Sequence, residues 1–145
     1  MGDPLMQCRD VWFSYEDNPP VLRNINLEIH RGEAIALVGQ NGSGKTTLAK
    51  HMNGLLHPGR GTVQLAGRDT ADAAAGELAS IAGYVFQNPD HQIFSATVEQ
   101  EIAFGPTNLS LPEGEIEQRV AESIQRFRLD KVCTRHPALL ARGLR

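Results

Sequence analysis

The chain has 145 residues, a formal net charge of −3 and 41% hydrophobic residues, which suits one soluble globular domain able to bury roughly two-thirds of its unfolded surface. The mildly acidic balance offers no basic footprint for nucleic acid. No segment reaches the apolar length of a membrane span, and the polar stretch Met1 to Arg9 leads into no apolar run of the kind a signal peptide needs. Cys8 and Cys133 form neither a disulfide framework nor a metal-ligand spacing, so they are expected to be ordinary thiols of a reducing compartment.

Val11, Phe13 and Tyr15 alternate with Trp12 and Ser14, which predicts a strand. Asp17-Asn18-Pro19-Pro20 is a turn, and Ile25, Leu27 and Ile29 alternate with polar neighbours in a second strand. His30-Arg31-Gly32-Glu33 turns the chain into Ala34-Ile35-Ala36-Leu37-Val38, an apolar run expected to be a strand buried on both faces.

Gly39-Gln40-Asn41-Gly42-Ser43-Gly44-Lys45-Thr46 follows directly. It fits G-x-x-x-x-G-K-[ST], the phosphate-binding loop named Walker A. The chemistry explains the residue types. Backbone N–H groups curled into a concave nest surround dense negative charge, and Gly42 and Gly44 permit the positive φ and close approach that a nest requires. Lys45 reaches β- and γ-phosphates, and the Thr46 hydroxyl joins a Mg²⁺ shell. A helix predicted from Lys45 to Asn53, ending at Gly54, aims its positive end at the phosphates. Strand, loop and helix thus come in the order that distinguishes the motif from a chance Gly-rich turn.

Pro58-Gly59-Arg60-Gly61 is a further turn, Val63 and Leu65 mark an alternating strand, and Ile81 to Phe86 predicts another that ends at Gln87. The character then changes. Thr97-Val98-Glu99-Gln100 and Ser110-Leu111-Pro112-Glu113 each have the form of a helix capping box. The first helix is expected to stop at Gly105-Pro106. In the second, Ile116, Val120, Ile124 and Phe127 share one face, opposite a solvated face of Glu115, Gln118, Glu122 and Gln125. A β-rich part, 1–87, and a helical part, 88–145, are expected. His51 and His57 are expected to be ordinary, and Asp90-His91 to be a loop turn.

With these residues in view, the chain resembles the ATP-binding subunits of ABC transporters. The block Phe86-Gln87-Asn88-Pro89-Asp90-His91-Gln92-Ile93-Phe94, with Thr97-Val98-Glu99 and Ala103-Phe104-Gly105-Pro106 after it, is similar to the energy-coupling-factor subfamily, which drives uptake of vitamins or of transition-metal ions such as cobalt and nickel. The resemblance runs from about Cys8 to Arg145. It implies an α/β P-loop NTPase (RecA-like) core with an N-terminal antiparallel β-subdomain and a partial helical subdomain. It implies ATP and Mg²⁺ as cofactors, with nucleotide held by Tyr15, Gly39, Gln40, Asn41, Gly42, Ser43, Gly44, Lys45, Thr46, Thr47 and Gln87, and Mg²⁺ approached by Thr46 and Gln87. In that scheme Tyr15 stacks on adenine, where base–aromatic stacking contributes about 1–3 kcal/mol; a strand-packed aromatic is the alternative. Thr47 either orients phosphates or caps the helix. Ile93 and Phe94 either meet a membrane subunit or pack between lobes. The implied partners are a second ATPase subunit, identical or not, a transmembrane coupling subunit and a substrate-binding membrane subunit, with no nucleic acid. The implied location is the cytoplasmic face of the cell membrane.

Two departures qualify this. The family's Leu-Ser-Gly-Gly-Gln signature is expected after His136-Pro137, but Ala141 and Arg142 replace its serine and first glycine. An apolar strand ending in Asp-Glu and a switch histidine do not follow before residue 145. Phosphoryl transfer depends on positioned charge, so this chain alone is expected to bind nucleotide weakly and turn it over negligibly. The alternatives are a non-catalytic nucleotide-binding module paired with a complete ATPase, or a soluble DNA-repair or translation ATPase.

Overall fold

A computed structural model describes residues 2–88 and 92–140. The chain divides into two compact units, Met1–Tyr84 and Val85–Arg145.

The first unit is built on a four-stranded antiparallel sheet with strand order β2-β1-β3-β4. Its strands are β1 (Met6–Phe13), β2 (Leu22–Ile29), β3 (Arg60–Leu65) and β4 (Arg68–Asp69). The alternation in β2 and β3 puts Leu22, Val63 and Leu65 under cover. β1 departs from strict alternation: Cys8 and Val11, three residues apart, both face the core. A bulge explains this. Pairing with β3 jumps from Arg9↔Thr62 to Trp12↔Arg60, and Asp10 between them has φ 49°. An extra residue there turns Val11 inward and re-aims the rest of the strand. The Asp10 carboxylate braces the bulge, accepting from Trp12 Nε1 at 3.1 Å and Arg60 at 2.8 Å, while the Asp10 amide donates to Asn26 Oδ1 at 2.9 Å.

Helix α1 (Lys45–Met52) packs on the inner face. Leu48 joins Cys8, Val11, Leu22 and Val63 in one cluster, edged by Phe13, Ile25, Leu27 and Met52. A short helix α2 (Ala75–Ala79) buries Leu78.

Two predicted strands are not formed. Residues 34–38 pair with no strand among those described, and Ile35, Leu37 and Val38 are exposed. The same holds for 81–86, where Val85 is 86% exposed. A run apolar on both faces buries itself only between neighbouring strands and covering helices, and the described residues supply no such neighbours.

The second unit holds helices α3 (Val98–Asn108) and α4 (Glu113–Phe127) and a 3₁₀ turn (Pro137–Leu139). Thr97 caps α3 by accepting from the Gln100 amide at 3.2 Å. The helix does not stop at Gly105-Pro106 but passes through it to Asn108. Proline's missing N–H affects one carbonyl near the helix end, and the Thr107 hydroxyl adds a bond to the Ala103 carbonyl at 2.8 Å. Ser110 is not the cap of α4. It lies at φ 55° and closes α3, its amide donating to the Thr107 carbonyl at 2.9 Å, and Pro112 is the N-cap instead.

On α4, Val120 is buried, and Ile124 packs beside Val98, Leu129 and Leu140. Phe127 leaves the expected face and is 64% exposed. Arg128, at φ 55°, ends the helix, and the Leu129 amide returns to the Ile124 carbonyl at 2.9 Å, with Arg128 donating to Gln125 at 3.2 Å. This paired C-terminal closure turns Leu129 inward in place of Phe127. The opposite face is solvated as expected, with Arg119 donating to Glu115 at 2.7 Å and Gln118 to Glu122 at 2.8 Å.

Candidate phosphate-binding site

Residues 39–44 curl back on themselves. The Ser43 amide donates to the Gln40 carbonyl at 3.2 Å, and α1 starts with the Leu48 amide on the Gly44 carbonyl at 2.8 Å. Gly42 and Gly44 have φ 81° and 89°. At Gly44 any side chain is excluded twice: by that backbone angle, and by Val21 and Leu22, whose atoms lie 3.1–3.2 Å from where a Cβ would stand. Close contact with the start of β2 therefore fixes the end of the loop to the sheet.

Gly44 is the N-cap of α1 and has no side chain to cap with; the first turn also carries no acidic residue. The leading amides of the helix are thus left for an outside acceptor, and the helix dipole favours an anion there. Lys50 in the last turn suits the opposite pole.

The Lys45 ammonium bends back over the loop. It donates to the carbonyls of Gly39 at 2.8 Å and Gln40 at 2.7 Å, and lies 3.4 Å from Ser43 Oγ. These bonds tether a full positive charge to the loop's own backbone. Gln40, Asn41 and Thr46 are exposed. Thr46 is at the first turn of α1, and its hydroxyl makes no hydrogen bond among the described residues. That suits Mg²⁺, which is held by one or two protein oxygens together with phosphate and water. No group of three or more His, Cys, Asp or Glu among the described residues forms a metal cage.

Thr47 is buried, and its Oγ1 lies 3.2 Å from the Tyr15 hydroxyl. Tyr15 follows β1 and is 42% exposed, with its hydroxyl beside the start of α1. Phe13 touches it edge-on, with centroids 4.8 Å apart. Tyr15, Gly39–Thr46 and Thr47 therefore belong to one unit. Gln87 is exposed and belongs to the second unit, at the end of residues 85–87. Asp90 and His91, and Ala141 to Gly143 of the altered signature, lie outside the described residues. Ile93 is half-buried; Phe94 is 72% exposed and stacks at a tilt on Phe104, centroids 5.9 Å apart. Below the site lies a residue that sequence reasoning passes over. His51 is fully buried, four residues after Thr47 on the same helix face. That spacing is the available signal.

The family model for ABC transporters matches residues 22–145. An energy-coupling factor transporter ATP-binding protein of Methanothermobacter thermautotrophicus is 46% identical over 142 residues, covering 96% of this chain and 45% of that protein. A putative ABC transporter ATP-binding protein of Caldanaerobacter subterraneus subsp. tengcongensis is 48% identical over 144 residues, covering 99% of this chain and 25% of that protein. Among solved structures, cbiO1 of Clostridium perfringens, part of the ABC transporter complex cbiONQ, superposes with a TM-score of 0.80 at 34% identity, covering 98% of this chain and 57% of that one. The chain thus spans about half the length, or less, of the curated relatives it matches. Its fold is that of a P-loop NTPase cassette, and the chain belongs to the ABC transporter family.

Proposed function

We propose that this chain forms the nucleotide-gripping part of an ATP-binding subunit of an energy-coupling-factor-type importer. One observation carries the reading: an uncapped helix N-terminus and a Lys45 ammonium, pinned by the Gly39 and Gln40 carbonyls, converge on one amide nest. The β- and γ-phosphates of ATP would take the free amides of the loop and α1, with Lys45 exchanging its long bond to Ser43 Oγ for the phosphates. Thr46 would hold Mg²⁺, which neutralises phosphate charge when bound. Tyr15 would present its ring to adenine, and Thr47 would hold that ring through its hydroxyl. Gln87 is assigned to the metal and the attacking water by its place in the sequence block shared with such subunits. Residues 1–87 are read as nucleotide-binding core and 88–145 as helical subdomain; the compact units divide three residues earlier, between Tyr84 and Val85.

A vitamin or transition-metal ion is the proposed cargo. The proposed setting is a pair of ATPase subunits under a coupling and a substrate-binding membrane subunit, at the cytoplasmic face. Similarity to the energy-coupling factor relatives supports this. Among the described residues no helix is long and apolar enough to cross a membrane. The 145-residue chain by itself is proposed to bind Mg-ATP weakly and without appreciable turnover, because phosphoryl transfer needs a positioned group for the attacking water and the loop residues supply none. Phosphate release by the purified chain is the test. A rate at background supports the proposal, and steady release that disappears in Lys45→Ala contradicts it.

A further inference from the structure

Beneath the phosphate loop, four residues close a ring of contacts. The Tyr15 hydroxyl meets Thr47 Oγ1 at 3.2 Å. The Thr47 carbonyl meets His51 Nδ1 at 2.8 Å. The His51 ring meets Phe13 edge-on, with centroids 4.6 Å apart at 77°. Phe13 meets Tyr15 edge-on at 4.8 Å and 87°. The ring joins the exposed aromatic after β1 to the helix that carries the phosphate loop.

The chemistry of His51 is constrained. A carbonyl only accepts, so Nδ1 carries the hydrogen, and in a neutral imidazole Nε2 is then a bare acceptor. Nε2 is buried, and the His57 backbone is a second hydrogen-bonding neighbour of the ring. Burial lowers the proton affinity of the ring, the backbone of Thr47 and of His57 acts against that trend, and charge on the neighbouring His57 reinforces it. A fully buried imidazole is a costly filling for a core position. What it provides that an aliphatic residue does not is the Nδ1–H bond to Thr47 and a flat face for Phe13.

We infer that His51 is a positioning residue for the nucleotide base: through Thr47 on one side and Phe13 on the other, it fixes the height and tilt of Tyr15 relative to the phosphate loop. The inference rests on the reading of Tyr15 as the base platform and of residues 39–46 as the phosphate grip. It separates two halves of one ligand. Loss of His51 loosens the base platform and leaves the amide nest and Lys45 intact. Ligands that carry a base then suffer, and a triphosphate without one does not.

The experiment is equilibrium binding of Mg-ATP and of inorganic tripolyphosphate with Mg²⁺ to the purified chain and its variants. In His51→Leu, affinity for ATP falls on the order of five- to ten-fold, the lower part of what a lost base–aromatic stack produces, and affinity for tripolyphosphate changes less than about two-fold. His51→Asn, which keeps an N–H near the Nδ1 position, restores part of the ATP affinity. In a Tyr15→Ala background, His51→Leu has no further effect on ATP, because the platform it positions is gone. Equal losses for both ligands, an undiminished ATP affinity, or additivity with Tyr15→Ala would each overturn the inference. If His51→Leu does not fold, the ATP-to-tripolyphosphate ratio of His51→Asn and its dependence on Tyr15 decide the matter alone. Lys45→Ala distinguishes the two readings. It weakens both ligands if the phosphate grip is right, whereas unchanged tripolyphosphate binding in Lys45→Ala overturns the grip and this inference with it.

Discussion

Gly61→Ala probes the bulge that aims the end of β1 toward α1. Gly61 has φ 87°, and a Cβ added there would stand well under 3.0 Å from the carbonyl oxygens of both Asp10 and Arg9. Both obstacles are backbone, held by the Asp10 bonds to Asn26, Trp12 and Arg60, so no side-chain rotation relieves them. A left-handed backbone costs alanine about 1–2 kcal/mol, and forced separation of packed elements adds about 1–3 kcal/mol. The sum, about 2–5 kcal/mol, is a large share of the roughly 5–15 kcal/mol that stabilises a domain. Gly67→Ala isolates the two terms, because Gly67 has φ 77° and nothing within 4 Å of where its Cβ would stand; it should cost only the backbone term. Urea unfolding followed by fluorescence of Trp12, the single tryptophan, measures both. A Gly61→Ala cost no greater than that of Gly67→Ala would refute the reasoning, since the bulge would then be pliable. If the bulge holds, a folded fraction of Gly61→Ala should also bind ATP less well, through displacement of Phe13 and Tyr15.

Stability should fall at both ends of the pH range. Burial lowers the His51 pKa below its ordinary 6.5, so the unfolded chain takes up the proton first and stability declines as pH drops below about 6.5. Burial raises Cys8 above 9.0, so the unfolded thiol ionises first and stability declines above about pH 9. Urea midpoints across pH check this, and His51→Leu should flatten the limb between about pH 5 and 6.5, before carboxylates titrate. Thr97→Ala removes the cap on the Gln100 amide and should cost the second unit about 1 kcal/mol, measured by hydrogen exchange of the α3 amides. Leu48→Ala opens the core cluster beneath α1 and should cost about 2–5 kcal/mol, read in the same urea assay.

The phosphate loop is legible in the sequence because its glycines, lysine and threonine are set by local geometry: the positive-φ glycines and the ammonium bridge to Gly39 and Gln40 all lie within a few residues. Strand alternation likewise places β2 and β3. What the sequence conceals depends on partners far along the chain. The bulge at Asp10 arises from pairing with β3, some 50 residues away, and no local residue type announces it. Residues 34–38 have the composition of a buried parallel strand, and that composition describes an environment which the described residues do not supply. Pro106 reads as a helix stop because a proline in isolation is one; near a C-terminus its single lost bond is tolerable. Ser110 matches a capping pattern but is already engaged in ending the preceding helix. His51 reads as ordinary, since only the fold brings Phe13 across from β1 to meet it.

The central claim is that residues 39–46 and the Lys45 ammonium grip nucleotide phosphates. Calorimetric titration of Mg-ATP into the purified chain and into Lys45→Ala tests it most directly, with melting temperatures confirming that both are folded. Loss of charge-assisted bonds to phosphate should weaken binding roughly ten- to a hundred-fold. Equal affinities in two equally folded proteins would contradict the account.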